Sequence, residues 1–398
     1  MSAFAGVQAA PRDPILGLNE QFAADTRTEK VNLGVGVYFD ENGRMPLLNC
    51  VRTAEERLAQ NLKPHAYLPI DGLPAYTAAV KKLVFGADSA LLADKRVATV
   101  QGLGGTGGLK IGADFLRQLN PNAKALVSDP SWANHRALLT RAGFEVGTYR
   151  YYDAEKHGVD FDGMIADLKS AAPGTVIVLH ACCHNPTGYD LTPAQWDTVL
   201  ATVRERQLMP FLDMAYQGFA HGLSQDGAAV GKFAASGLSF LVATSFSKSF
   251  SLYGERIGAL SVVCASADEA ARVLSQLKVT VRTNYSNPPT HGAAIVAEVL
   301  DDEKLRNQWE NELGAMRERI RTMREALVKG LKAAGVRRDM SFITEQVGMF
   351  SYSGLNKEQM LKLRSDFGIY GTDAGRICVA ALNSKNIDYV CRCIAEVL

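Results

Sequence analysis

Phe240-Leu241-Val242-Ala243-Thr244-Ser245-Phe246-Ser247-Lys248 is the stretch that decides the fold of this chain. An apolar run passes within a few residues into a polar break that carries two serines and a lysine. A short apolar run bounded by a polar break reads as a strand. The same grammar occurs upstream, where Met209-Pro210-Phe211-Leu212 ends in Asp213, with Tyr216 one turn later. Working outward, the expected strands are 97–100, 124–128, 175–181, 208–213, 240–244 and 259–264, and the expected helices include 107–119, 193–206 and 267–281. Strands alternating with helices at this rhythm predict an α/β large domain with a mostly parallel sheet covered by helices. From about 300 to 334 the pattern turns helical and charged, and two short runs (348–352 and 377–381) follow, separated by a helix near 357–367. These predict a second, smaller α+β domain.

Composition narrows the class. A chain of 398 residues has room for about two or three domains and a large core. With 47% hydrophobic and 21% charged residues it reads as an ordinary globular protein. A formal net charge of +1 provides no global field toward nucleic acid or an anionic membrane, so neither is expected as a partner. Seven cysteines without framework spacing predict free thiols in a reducing compartment. No apolar run reaches the roughly 18 residues of a spanning helix. Residues 1–10 have no basic leader character and are closed by Pro11-Arg12-Asp13-Pro14, so no signal peptide is read and the cytoplasm is the expected location.

The polar residues fall where a ligand would be held. Asp129 and Trp132 follow one predicted strand, Asn185 and Pro186 the next, Asp213 ends a third and Lys248 follows a fourth. In an open parallel sheet these ends share one edge, the edge at which ligands bind. Gly102-Leu103-Gly104-Gly105-Thr106-Gly107-Gly108 contains G-x-G-x-x-G after a strand and before a helix, with Asp129 ending the next strand, so a nicotinamide-dependent dehydrogenase is a rival reading. The broader reading of the glycine run is a cup of backbone N–H groups for a phosphate. Cys182-Cys183-His184 invites a metal, but adjacent residues of a strand face opposite sides, so buried thiols beside an Asn-Pro turn are expected and no metal. Arg282 and Arg376 each sit beside small or turn-forming residues, and two guanidinium groups suit a dicarboxylate. Lys248, Asp213, Tyr216, Ser245, Ser247 and Arg256 together match the needs of pyridoxal phosphate. An amine can condense with its aldehyde, an acid can keep its pyridine nitrogen protonated, a phenol can bond its ring oxygen, and hydroxyl and guanidinium groups can hold its phosphate. Lys248 beside Arg256 and a cofactor cation is expected to titrate below the usual value of about 10.4.

Further motifs carry a resemblance that runs nearly end to end: Asn32-Leu33-Gly34-Val35-Gly36-Val37-Tyr38, Gly104-Gly105-Thr106-Gly107, His184-Asn185-Pro186-Thr187-Gly188, Asp213-Met214-Ala215-Tyr216-Gln217-Gly218-Phe219, Ser245-Phe246-Ser247-Lys248 and Asn284-Tyr285-Ser286-Asn287-Pro288-Pro289. The chain resembles the fold type I aminotransferases that use pyridoxal 5'-phosphate, in the aspartate/aromatic amino acid subgroup. Tyr67-Leu68-Pro69 and Ser251-Leu252-Tyr253-Gly254-Glu255-Arg256 look closer to the bacterial aromatic amino acid members. The resemblance implies transfer of the amino group of aromatic amino acids, and of aspartate and glutamate, to 2-oxoglutarate by a ping-pong mechanism, with a mainly aspartate:2-oxoglutarate aminotransferase as the alternative. Lys248 would hold the cofactor and move a proton, Asp213 would face the ring nitrogen with His135 behind it, and Tyr216 and Asn185 would bond the ring oxygen. Trp132 would stack on the ring, while Gly105, Thr106, Ser245, Ser247 and Arg256 would hold the phosphate. Arg376 would take the α-carboxylate with Gly36 closing over it. Tyr67 and Arg282 would arrive from the second subunit of a homodimer, Tyr67 at the phosphate and Arg282 at the distal carboxylate. The implied domains are an arm at 1–12, a large cofactor domain at 46–310, and a small domain built from 13–45 and 311–398. Two places depart from the subgroup pattern: the loop 371–374, and Gly104 where a serine is expected. A non-enzymatic sensor built on the same domain would need an added DNA-binding segment, and the resemblance begins by about Asp13.

Overall fold

The computed structural model describes residues 2–10, 13, 15–64 and 66–398. Pro11, Arg12 and Pro14 of the break read near the N-terminus therefore lie outside the described residues. Seven strands form the central sheet: β1 (Val97–Leu103), β2 (Lys124–Asp129), β3 (Glu145–Arg150), β4 (Val176–His180), β5 (Met209–Met214), β6 (Phe240–Ser245) and β7 (Ile257–Val263), in the order β1-β7-β6-β5-β4-β2-β3. The pairs from β3 across to β6 are all parallel, whereas β7 runs antiparallel to both β6 and β1. Successive residues of the inner strands face different apolar clusters. Phe211, Leu241 and Val178 pack on one side of the sheet, and Leu212, Val242 and Ile177 on the other. Burial on both faces is why these strands read as continuous apolar runs rather than as alternating ones.

Helix α1 (Gly104–Leu119) starts at the glycine run, three residues before the expected start, and lies against the sheet. A Cβ at Gly108 would come within 2.7 Å of the Ala259 carbonyl, so the glycine permits the close approach of helix and strand. Helix α2 (Pro193–Arg206) keeps its expected bounds because Thr192 and Gln195 form a reciprocal capping box, with Pro193 in the first helical turn. Helix α3 (Ala267–Tyr285) runs beyond its expected end and carries Arg282 in its last turn. Asp302 separates the helix His291–Asp301 from the long α4 (Glu303–Ala333), its carboxylate accepting from the Leu305 N–H at 3.0 Å. The expected domain boundary at 310/311 thus lies inside one continuous helix.

Past α4 the chain forms Phe350–Tyr352, antiparallel to Arg376–Cys378, and Ile369–Tyr370, parallel to Val31–Asn32. The early segment around residue 31 is thereby stitched to the C-terminal part, and the Cys378 N–H bonds the Leu33 carbonyl at 2.7 Å. Among the described residues, no helix is long and apolar enough to cross a membrane.

Candidate active site

The carboxyl ends of β4, β5 and β6, the start of α1 and the Phe350 strand enclose one cleft of about 240 Å³. At its base Asp213 is almost fully buried, and its Oδ2 lies 2.8 Å from His135 Nε2. His135 Nδ1 lies 3.0 Å from Ser131 Oγ, which orients the ring. Burial pushes the Asp213 carboxyl up, but the His135 hydrogen bond, with the fields of His135 and Lys248 added, outweighs it and holds the group below its ordinary value. Asp213 is therefore an ionised acid held in the interior, ready to pair with a cationic ring nitrogen.

Lys248 Nζ lies 4.7 Å from the centre of the Tyr216 ring. Its pKa is lowered to about 8. Burial is the main cause; Asp213 opposes the shift and Arg256 adds to it. The expected direction holds, but the expected emphasis on Arg256 is corrected, because desolvation outweighs the neighbouring charge. Burial raises the Tyr216 phenol, so its hydroxyl stays protonated and can donate.

The anion corner forms where β6 ends and α1 begins. Gly105 and Thr106 offer N–H groups of the first helical turn, which have no partner within the helix. Arg256 Nη1 donates to Ser247 Oγ at 3.2 Å and to the Tyr253 carbonyl at 2.9 Å, and the Ser247 N–H donates to Ser245 Oγ at 3.3 Å. Gly104 has φ +68°, and a Cβ there would sit 2.4 Å from Arg256 Nη2. The glycine that departs from the subgroup pattern thus lets the guanidinium close directly over the helix start.

On the opposite wall Arg376 is 3% exposed. It donates from Nη1 to Asn185 Oδ1 at 3.3 Å and from Nη2 to the Gly34 carbonyl, and its Nε has no partner among the described residues. No carboxylate is among these partners, so the cation retains its demand for an anion. Asn185 presents its oxygen to Arg376, which leaves its amide N–H groups free to donate to a ring oxygen. Asp190 accepts the N–H groups of Cys183 and His184, at 2.7 and 2.9 Å, and so ties the turn that carries Asn185.

Gly36, Trp132 and all the other residues expected to meet the cofactor or substrate line this cleft except Tyr67 and Arg282, and His135 stands behind Asp213. Tyr67 is 91% exposed. Arg282 is exposed at the end of α3, with Ser286 Oγ as its hydrogen-bond partner. Asp129, the acid a ribose site would use, is exposed and does not line the cleft, so the glycine run points to the same ligand as Lys248. The reasoning on the cysteines is corrected. Cys182 and Cys183 follow β4 rather than lie within it, Cys183 has φ +50°, and their sulfur atoms lie within 4.8 Å of each other and of an Asp226 oxygen. Asp226 is committed to the N–H groups of Gly218, Ala220 and His221, and burial holds the Cys183 thiol well above its ordinary value.

Among the cleft residues that sequence reasoning missed are His180, Tyr253 and Phe350. Burial lowers His180 to about 3, so it is a neutral ring, and neither of its nitrogens has a partner among the described residues. It ends β4, so the strand-end rule that found Asp213 could have found it. The Tyr253 hydroxyl accepts the Tyr38 N–H at 2.9 Å, and Phe350 stacks beneath Arg376. Both lie in stretches read from the sequence, 251–256 and 348–352, but nothing there marked either side chain for the cleft.

The donor set therefore fits a phosphorylated pyridine aldehyde: an anion cup, an amine, a buried acid, ring-oxygen donors and a separate cation for a carboxylate. Residues 28–394 match the family model for aminotransferase class I and II. Aspartate aminotransferase of Pseudomonas aeruginosa is 57% identical over 398 residues, covering all of both chains. Aromatic-amino-acid aminotransferase of Escherichia coli is 50% identical, covering 99% of this chain and all of the relative. In structure the chain is similar to the aromatic-amino-acid aminotransferase from Burkholderia pseudomallei covalently bound to pyridoxal phosphate, at 63% identity and a TM-score of 0.97, each chain fully covered.

Proposed function

The chain belongs to the class I and II aminotransferases, and from that premise we propose that it moves the amino group of aromatic amino acids, and of aspartate or glutamate, to 2-oxoglutarate with pyridoxal 5'-phosphate. The observation that carries this reading is the meeting of Lys248, the Asp213–His135 pair and Arg376 in one cleft. Relatives named for aspartate and for aromatic amino acids support both donor classes. When bound, the cofactor supplies an aldehyde that exchanges amino groups and a ring that draws electrons from the substrate's α-carbon.

Each side chain then has its own part. Lys248 Nζ is the nucleophile that secures the cofactor at rest and, once free, takes the proton from the α-carbon. Asp213, held ionised by His135, keeps a proton on the pyridine nitrogen. Tyr216 and Asn185 donate to the ring oxygen, and Trp132 covers the ring face. Gly105, Thr106, Ser245, Ser247 and Arg256 bind the phosphate. Arg376 holds the α-carboxylate, and Gly36 lies over it.

We further propose that the protein works as a homodimer, with Tyr67 and Arg282 entering the partner's cleft. Their position on the outside of their own chain supports this. The pairing of Val31–Asn32 with Ile369–Tyr370 supports a closing lobe made of 13–45 and 311–398. Seven free cysteines suit the cytoplasm.

Half-reactions of the cofactor-loaded protein with phenylalanine and with aspartate test the activity, and absence of amino transfer from either sinks it. Mixing Lys248→Ala chains with Arg282→Ala chains tests the dimer. One site of the mixed dimer should regain aspartate turnover, and no rescue would mean that Arg282 acts within its own chain.

A further inference from the structure

Arg324, in the middle of α4, is 4% exposed and has no carboxylate partner among the described residues. Its Nη2 donates to two backbone carbonyls, those of Gly348 and Phe350, each at 2.6 Å, and its Nε donates to Ser351 Oγ at 3.3 Å. Burial lowers its pKa to about 10, so it remains a cation at neutral pH. Burying a cation without a counter-charge is costly. The return is a set of charge-assisted bonds, stronger than a neutral donor would make, concentrated on Gly348, Phe350 and Ser351 of one short segment.

That segment is the strand Phe350–Tyr352, which pairs with Arg376–Cys378 so that Tyr352 lies opposite Arg376. The Phe350 ring lies 4.2 Å from the Arg376 guanidinium and 5.9 Å from the Tyr216 ring. A Cβ at Gly36 would lie 2.7 Å from Phe350 Cζ. One ring therefore touches the cation, the phenol and the covering glycine of the site. We propose that Arg324 is a positioning residue for substrate binding: it clamps the Phe350 segment, and the clamped ring seats Arg376 in the orientation that receives the α-carboxylate. This rests on the reading of Arg376 as the carboxylate site.

The probe is 3-indolepropionate, a carboxylate with an aromatic ring and no amino group, titrated into the cofactor-loaded protein by absorbance. Arg324→Met should weaken it about ten-fold or more and raise KM for phenylalanine in step, with kcat within about three-fold and cofactor affinity unmoved. Arg324→Lys, which keeps the charge, should recover part of the loss. Phe350→Leu should reproduce the Arg324→Met pattern and decides the matter if Arg324→Met does not fold. A lower melting temperature with unchanged probe affinity and KM would make Arg324 merely structural and overturn the proposal, as would a silent Phe350→Leu. Arg376→Ala separates the two readings. If it leaves the probe affinity unchanged, the carboxylate assignment fails. If it weakens the probe while Arg324→Met does not, only the clamp fails.

Discussion

Asp213 and Arg282 are both assigned to hold charge on a ligand, yet their surroundings are opposite. Asp213 is 5% exposed at the end of β5, bonded to a histidine that is itself bonded to Ser131. Arg282 is exposed at the end of α3, with a hydroxyl as its partner. The floor of the cleft is set by the chain before any ligand arrives, because a buried acid needs its hydrogen bonds in place. Arg282, proposed to form the rim of the partner's cleft, keeps the freedom of a long surface side chain, which would suit a residue that pairs with a dicarboxylate and swings aside for an aromatic ring. On the proposed reading, chemistry common to all substrates belongs to the floor, and discrimination among them to the rim.

The largest effect should come from the floor. Lys248→Ala removes both the nucleophile and the proton carrier, and turnover should fall by roughly 10³–10⁴-fold or more with every donor. Turnover near the wild-type rate would reject the assignment of the whole cleft. Asp213→Asn comes next, with a loss of roughly 10²–10³-fold, the size expected when one preorganised charge is removed. The loss should be equal for phenylalanine and aspartate; a strongly unequal loss would break the division between floor and rim. Arg282→Ala should act in the opposite sense. Its kcat/KM for aspartate should fall roughly 10²-fold, as a lost carboxylate pair predicts, while that for phenylalanine should stay within a few-fold. Equal losses would show that Arg282 does not discriminate.

The same division governed what could be read from the sequence. Asp213, Asn185 and Lys248 were legible because a residue with polar chemistry follows an apolar run, and parallel strands bring such ends to one edge. Edge strand β3 was not read, because Glu145-Val146-Gly147-Thr148-Tyr149-Arg150 is mostly polar and pairs along one side only. The antiparallel direction of β7 was hidden too, since an apolar run has the same composition in either direction. Tyr67 was found by family pattern alone; Arg282 stood out beside turn-forming residues, but its arrival from the second subunit came from the family pattern, and the single chain leaves both outside its own cleft. Arg324 and Phe350 were invisible for a different reason. A buried arginine bonded to carbonyls looks, in sequence, like any other arginine on a charged helix.

A final measurement places floor and rim on one scale. The pKa of Lys248 is lowered to about 8, chiefly because it is buried, so its neutral amine should reach half occupancy well below the pH at which a free lysine does. Capture of pyridoxal phosphate by the cofactor-free protein should therefore speed up with pH and level off just above pH 8. A rate still climbing at pH 10 would mean an unperturbed amine. The stability sign follows from the same shift. Between about pH 8 and 10.5 the unfolded chain binds more protons at this lysine than the folded chain does, so the cost of burying it is full below that window and is relieved as pH rises through it. Asp213 opposes the shift, so Asp213→Asn should move the midpoint of capture below 8. Arg282→Ala, altering a residue outside the cleft, should leave it in place. A midpoint that moved with Arg282 and not with Asp213 would invert the comparison and assign control of the lysine to the rim.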